Sequence, residues 1–525
     1  MRGSAAVVIA MLCGAVALAM PGIAKADVGF QGPGYPAGTG AGPTGTKSES
    51  KLWWNDGFWW ASMFSPSSSS YNIFRLNMRL QTWVNTGVQI DTRDTTRQDA
   101  LWTGSKLFIA SHKFEDNPPI DTTPDQAMDG MRLYRFSYNA TTNTYTLDGP
   151  PTDIDAQRSE TLTVDRDSNG AIWATWVQQE SPAGRRQLYV RKTGDNCTTG
   201  ALGNCSFGSV LVLDDEVGAD DISAIVRFGA NKVGVMWSDT SDTGVPPIAV
   251  LRFAFHTDGD PVGMWTFEDV ISGSKAVDDH INLKADSVGR VYAVTKTNFT
   301  SAANPGSRLH RRLAAGGWAT FTVSQANLDR TRPIVLVDQQ HNRIRVFEGT
   351  AHPRAIDPTI YMKASLLSSI SFAPSSLGTP VIQDPGTNLV NPSSTKQNIT
   401  NTTRQIVVAS NTSTRRYWHA YQQINPCIRG TVGNNVIWGT NGNDVLCGLG
   451  GRDTIRSLAG HDSLNGGPGN DTLIGVGGRD RYIGGSGNDT IYARDTFREV
   501  VSGGLGFDRA RVNRTDIRQS IERLF

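Results

Sequence analysis

Six aspartates, Asp444, Asp453, Asp462, Asp471, Asp480 and Asp489, recur every ninth residue near the C-terminus. In rows of nine, residues 430–492 read GTVGNNVIW, GTNGNDVLC, GLGGRDTIR, SLAGHDSLN, GGPGNDTLI, GVGGRDRYI and GGSGNDTIY. The fourth position is always glycine, and the sixth is aspartate in every row but the first, which has Asn435. The eighth is apolar: Ile437, Leu446, Ile455, Leu464, Leu473, Tyr482 and Ile491. Six residues of each row can form a tight loop, and the last three a short strand with the apolar side chain pointing inward. Two rows then make one coil of a parallel β-roll, and stacked coils bury a narrow core that no single repeat can bury. Aspartates 18 residues apart fall above one another, in the columns Asp444, Asp462, Asp480 and Asp453, Asp471, Asp489. Stacked carboxylates repel unless a cation lies between them. With loop carbonyls they form a hard oxygen donor set, which suits Ca²⁺.

This pattern resembles the hemolysin-type (RTX) nonapeptide GGxGxDxUx, in which Ca²⁺ is held between turns. The resemblance implies that the six position-six aspartates are ligands, completed by backbone carbonyls. There are departures: Asn435 weakens the first site, and Ser457 stands where a glycine is expected. The register breaks over 493–502, and a further unit, GGLGFDRAR at 503–511, places Asp508 out of phase, so that it is not expected to complete a stacked site. Residues 512–525 read as a short cap over the end of the roll.

The elements ahead of the roll read as all-β. From Lys51, short alternating apolar runs rich in Trp, Tyr, Phe, Val and Ile are separated by turn residues, without helical periodicity. A loose repeat of about 50–60 residues runs through 51–425, the period of a four-stranded blade. Its strongest strands include residues 58–61, 106–110, 171–176, 232–237, 290–294 and 343–347. Six four-stranded units and a final piece at 405–423 predict a β-propeller of six or seven blades. Two consecutive sandwiches are the competing all-β reading. The texture is similar to sialidase or BNR-type propellers, without their repeated SxDxGxTW box. The expected domains are therefore a propeller at 51–425 and a calcium-binding β-roll at 427–525.

In a propeller, residues just before each innermost strand converge on one mouth of the central channel. Here they are polar: Arg97 and Asp99, Arg158 and Glu160, Asp220 and Asp221, Asp278, Asp279 and His280, Arg332, then Lys396 and Gln397. The three arginines could clamp a carboxylate or sulfate. The acidic pairs could bind a cation, or act as acid and base on a glycosidic bond. The competing reading is a structural ion-pair network around a hydrated channel. No catalytic residue can be assigned from spacing. Trp53, Trp54, Trp59 and Trp60 are expected to pack between blades, although aromatic faces also stack on sugars.

The remaining features concern the compartment. Residues 1–26 read as a secretory signal peptide, with Arg2, an apolar run from Ala5 to Met20, and Ala24-Lys25-Ala26 before the cut. Residues 27–50, rich in Gly, Pro, Ser and Thr, read as a flexible linker. Cleavage leaves four cysteines, and the expected bridges are Cys197–Cys205 and Cys427–Cys447. A formal net charge of +1 over 525 residues argues against nucleic acid, and no span of the mature chain is apolar enough to cross a membrane. The sequence thus predicts a secreted calcium-binding protein whose propeller meets an extracellular glycan or protein. The alternative is a carbohydrate-active enzyme, a glycosidase or lyase, with its active site in the funnel.

Overall fold

The computed structural model describes residues 29–525 apart from 38–41, 46, 79, 117, 181–183, 219, 242–247, 351–358, 385–387, 401, 423–427 and 440–443. The expected signal peptide and Cys427 lie outside the described residues.

Seven antiparallel sheets follow one another along the chain, which settles the expectation of six or seven blades at seven. Blades 1 to 6 span residues 52–91, 96–155, 163–217, 223–273, 281–325 and 330–383, with each chain segment running from the channel outward. Blade 7 holds Leu389–Ser393, Gln405–Asn411 and Arg416–Gln422. The apolar pattern shows why these segments stack face to face. In Ile172–Gln179, Ile172, Ala174 and Trp176 join one core cluster, while Trp173 and Val177 join another. Side chains alternate across a strand, so a strand apolar on both faces must be covered on both, as a blade between two neighbours is. The four tryptophans near the start of the propeller serve this packing. Trp53, Trp59 and Trp60 are buried, with indole N–H groups donating to Tyr145 Oη at 2.9 Å, Thr403 O at 2.7 Å and Asn55 O at 3.1 Å.

Of the segment 27–50, expected as a flexible linker, the described residues Phe30–Gly34 form a strand of the propeller. Phe30–Gly34 is the outermost strand of blade 7, antiparallel to Arg416–Gln422, with Phe30 opposite His419 and Gly34 opposite Arg416. The ring is thereby closed by its own N-terminal strand, and an edge that would offer unpaired N–H and C=O groups is covered. Tyr35 is buried and donates its hydroxyl hydrogen to Asn411 O at 2.7 Å. Beyond it, Thr44, Ser48, Glu49, Ser50 and Lys51 are buried as the chain crosses to the channel. Composition misled here: small and turn-forming residues suit a linker, and they equally suit a segment threaded through a narrow space.

The C-terminal region is a parallel solenoid of two six-stranded sheets. The eighth-position residues stack in register: Leu446, Leu464, Tyr482 and Val501 on one sheet, and Ile437, Ile455, Leu473, Ile491 and Ala510 on the other. All are buried and form one cluster. Residues 512–525 do not fold as a separate cap, because Ile517–Gln519 and Arg523–Leu524 extend both sheets by a further coil. Cys197 and Cys205 form the expected disulfide, on a loop of blade 3. Cys447 is also disulfide-bonded.

Candidate functional site

The solenoid turns its aspartates inward. Five of them, Asp453, Asp462, Asp471, Asp480 and Asp489, accept through Oδ1 the main-chain N–H of the acidic or amide residue one coil earlier. In one column, Asp462 accepts from Asp444 at 2.7 Å and Asp480 from Asp462 at 2.9 Å. In the other, Asp453 accepts from Asn435, Asp471 from Asp453 and Asp489 from Asp471, each at 2.8 Å. The carboxylates are thus pinned at their coil spacing by the backbone. The second oxygens of Asp453, Asp462, Asp471 and Asp489 are buried and have no hydrogen-bond partner. Such groups are costly to leave unsatisfied.

Burial pushes the Asp462 carboxyl up to about 7, and Asp471 and Asp489 to about 6. Without a cation these three carboxyls hold protons more readily than exposed ones do.

The surrounding backbone completes a cradle. A Cβ added at Gly466 would lie 2.3 Å from Asp471 Oδ2 and 2.6 Å from Gly484 O, and one at Gly484 would lie 2.3 Å from both Asp489 Oδ2 and Gly503 O. Each coil thus holds a carboxylate oxygen and a carbonyl from the next coil around one small space, open only because the residue there is glycine. At Gly487, φ is +125° and a Cβ would meet Gly469 O at 2.0 Å, so the fourth position also excludes any side chain. Buried carboxylate oxygens without partners, set beside main-chain carbonyls, are the donor set of a hard divalent cation, and the residues fit Ca²⁺.

The columns run further than the sequence pattern suggested. Asp489 donates its N–H to Asp508 Oδ1 at 2.8 Å, and Asp508 donates to Glu522 Oε2 at 2.7 Å. In the other column Asp480 donates to Glu499 Oε2, and Glu499 to Asp516 Oδ1 at 3.0 Å. Asp508, expected out of phase, thus sits in its column. One extra residue, the buried Ala493, lengthens the coil, after which Glu499 takes the sixth position and Val501 the eighth. Glu499 Oε1 and Asp508 Oδ2 are again buried without partners, and burial raises Glu499 to about 8. The missed signal was a resumed nonapeptide, RDTFREVVS at 494–502, with Glu in the Asp position.

The propeller channel is arranged differently from the expected funnel. Arg97 is buried with its guanidinium 4.6 Å from the centre of the Phe114 ring, inside the packing between blades. Arg158 is held at the rim by Asp129 at 2.7 Å and Glu115 at 3.1 Å. Arg332 sits at a bulge in Arg330–Asp338 with φ of +48°. The three have different neighbours in the fold. Asp99 is fully buried and accepts from Ser50 N and Val164 N, both at 2.8 Å, and from Lys396 at 2.9 Å. It is a staple between elements. Asp221 turns into its own blade, accepting from Thr240 N at 2.8 Å, and burial raises it to about 6.

What converges at the mouth is Glu160, Asp220 and Asp279, and what they meet is Lys47. Its ammonium is paired with Glu160 and Asp279 and lies 3.7 Å from Asp220 Oδ1. Burial raises Glu160 even so. Asp278 pairs with Lys296. Deeper, Glu49 bonds Lys51 at 2.9 Å and His112 at 2.6 Å. Lys47 and Glu49 were hidden within the expected linker, and Lys51 at the first residue of the expected propeller. Their signal was the alternation KSESK directly before the first strand, which is unlike a Gly-Ser spacer.

Comparison with known proteins agrees with this division. The model of the RTX calcium-binding nonapeptide repeat matches residues 428–455 and 456–491. No curated protein matches the sequence. Among solved structures, an ulvan lyase of polysaccharide lyase family PL25, bound to -[GlcA(1-4)Rha3S]-, superposes with a TM-score of 0.50 at 11% identity, covering 76% of this chain and 96% of that one. An α-L-arabinanase of Penicillium chrysogenum complexed with arabinobiose gives 0.39 at 10% identity, over 66% of this chain and 99% of that one. The NanB sialidase of Streptococcus pneumoniae gives 0.34 at 10% identity, over 75% and 70%. At such identities the likeness to the lyase shows the propeller fold alone.

Proposed function

We propose that this is an extracellular protein whose solenoid is ordered by Ca²⁺ and whose propeller presents a glycan-binding surface at the channel mouth. The observation that carries the reading is the row of buried carboxylate oxygens without partners. They are satisfied by a cation or by protons, and at neutral pH a cation is the better occupant. Modules outside cells bind Ca²⁺ at about 10⁻⁴–10⁻³ M, so the metal would be taken up after export. Two further observations support the compartment: the disulfide Cys197–Cys205 and the apolar N-terminal run. Among the described residues no helix is long and apolar enough to cross a membrane.

The glycan part rests on the fold shared with the ulvan lyase and on the polar mouth. The second reading, a glycosidase or lyase, is favoured by Glu160, a carboxyl raised by burial as a general acid requires, facing Asp279 across Lys47. Two experiments test these readings. Calorimetry of the full chain with added Ca²⁺ should raise the unfolding temperature of the solenoid, and Asp462→Asn/Asp471→Asn should remove most of that rise. An unchanged transition up to ~10 mM Ca²⁺, well above the extracellular range, overturns the calcium reading. A polysaccharide array probed in calcium-containing buffer, with wild type and Glu160→Gln/Asp279→Asn, tests the propeller. Retention of a polysaccharide that the variant loses supports binding, and release of reducing ends or unsaturated products favours the enzyme. Binding equal in both proteins sinks the assignment to the mouth.

A further inference from the structure

Three consecutive residues ahead of blade 5, Asp278, Asp279 and His280, are buried, and one donor atom from each lies within 4.8 Å of the others. His280 Nδ1 is 2.6 Å from Asp279 Oδ1 and 3.8 Å from Asp278 Oδ2. Its direction makes no hydrogen bond with either, and the atom is buried without a partner. The other ring nitrogen, Nε2, lies 3.4 Å from Thr331 Oγ1. With the ring proton on Nε2, Nδ1 carries an unused lone pair beside two carboxylates. Three acceptors then face one space, an arrangement that repels itself unless a cation enters.

The charges around it do not balance. Asp116, Glu160 and Asp220 form a second convergent group next to the first, and Lys47 ties the two through Glu160 and Asp279. Five carboxylates therefore meet four cations, Lys47, Lys296, Arg332 and Arg186, which leaves one negative charge in excess. Lys47 belongs to the N-terminal segment, so the mouth has drawn a positive side chain from a distant part of the chain. An imidazole nitrogen with carboxylates suits Zn²⁺ or Mn²⁺ better than Ca²⁺, which prefers oxygen throughout.

We propose that the channel mouth is a site for a divalent transition metal, bound by His280 Nδ1, Asp279 and Asp278, for which Lys47 is a tethered competitor. The site is separate in place and donor type from the solenoid columns, and it does not depend on the calcium reading. Its consequence is a mouth with two states. With Lys47 seated, the carboxylates are bridged by an ammonium. With metal bound, Lys47 is displaced from Asp279 and an open coordination position faces the channel.

The test is a titration of the full chain with Zn²⁺, and separately Mn²⁺, by isothermal calorimetry in ~5 mM Ca²⁺, which keeps extracellular-type calcium sites filled. Wild type should bind one equivalent of Zn²⁺, and His280→Gln and Asp279→Asn should each weaken it at least about tenfold. Lys47→Met should tighten it severalfold, because the competitor is gone. Asp462→Asn/Asp471→Asn should leave it unchanged, so that failure of the solenoid reading and failure of this one are told apart. Zn²⁺ binding that His280→Gln does not alter, or no binding by either wild type or Lys47→Met, overturns the proposal. If His280→Gln does not fold, Lys47→Met decides alone: tightening supports the site, and unchanged affinity rejects it.

Discussion

Asp471 Oδ1 accepts the main-chain N–H of Asp453, 18 residues earlier, at 2.8 Å, while Oδ2 of Asp471 is buried without a partner. The same carboxylate therefore holds two coils in register and keeps one oxygen for a cation. Asp471→Asn separates the roles, because an amide oxygen can still accept the Asp453 N–H but carries no charge. The variant should fold at high Ca²⁺ with apparent affinity lowered at least about tenfold, since a charge-bearing ligand is lost. Leu473→Ala, by contrast, removes the buried neighbour and should destabilise the solenoid by about 2–5 kcal/mol with or without metal. Calcium-dependent circular dichroism of the two variants separates affinity from packing.

The pH response follows from the same carboxyls. Their folded-state values, about 7 for Asp462, about 6 for Asp471 and Asp489, and about 8 for Glu499, lie above the ordinary carboxylate range. A group raised on folding contributes stability that is fully present below its unfolded value and is lost as pH rises through the folded one. The metal-free solenoid should therefore be most stable near pH 4 and weaken steadily to about pH 8. Calcium must displace those protons, so its apparent affinity should rise over the same interval. Melting the solenoid transition in chelator at several pH values checks the first statement, and calcium titrations at pH 5.5 and 7.5 check the second. A metal-free solenoid that gains stability between pH 5 and 8 contradicts the raised carboxyls.

The columns extend through Glu499 and Asp508, beyond the residues matched by the repeat family. Glu499→Gln and Asp508→Asn should each lower the number of bound Ca²⁺ relative to wild type, measured by equilibrium dialysis, without unfolding the earlier coils. Unchanged stoichiometry in both would confine the calcium sites to the regular repeats.

These residues also mark where sequence reasoning ended. The columns 444–480 and 453–489 were legible because a strict period of nine fixes both side-chain direction and stacking. One inserted residue, Ala493, was enough to hide Glu499 and to make Asp508 look out of phase, since the coil absorbs it while the row-by-row count does not. The blades were legible because strands such as Ile172–Gln179 are apolar on alternate faces. The channel was not. Arg97 and Asp99 fall within the innermost strand Thr96–Trp102 rather than ahead of it, and which side chain meets which depends on seven blades at once and on a segment threaded among them. No local pattern states that Lys47 ends between Glu160 and Asp279.

Ring closure by Phe30–Gly34 makes the N-terminal strand structural. Deleting residues 29–34 should leave Arg416–Gln422 as an exposed edge, lower the propeller unfolding temperature by several degrees, and speed proteolysis within blade 7. A linker would be lost silently. Calorimetry with limited proteolysis distinguishes the two, and an unchanged transition would mean that the strand contributes nothing to closure.

The buried network behind the mouth gives a sharper energetic expectation. Glu49 has no solvent exposure on its side chain and bonds Lys51 Nζ at 2.9 Å and His112 Nε2 at 2.6 Å. Burial lowers the Lys51 pKa, with Glu49 opposing the shift, so the pair is held together against a desolvation cost. Glu49→Ala leaves that buried lysine with Gln98 O and the nearby Asp99 but without its paired carboxylate, and should cost about 3 kcal/mol. Glu49→Gln keeps hydrogen bonding but not charge and should cost less. In Glu49→Ala/Lys51→Met the stranded charge is removed as well, so the double variant should be more stable than Glu49→Ala alone. A double-mutant cycle read by chemical denaturation measures this coupling. Additive single effects would mean that the two charges are screened by channel water, and that the segment before the first strand is held by its main-chain bonds instead.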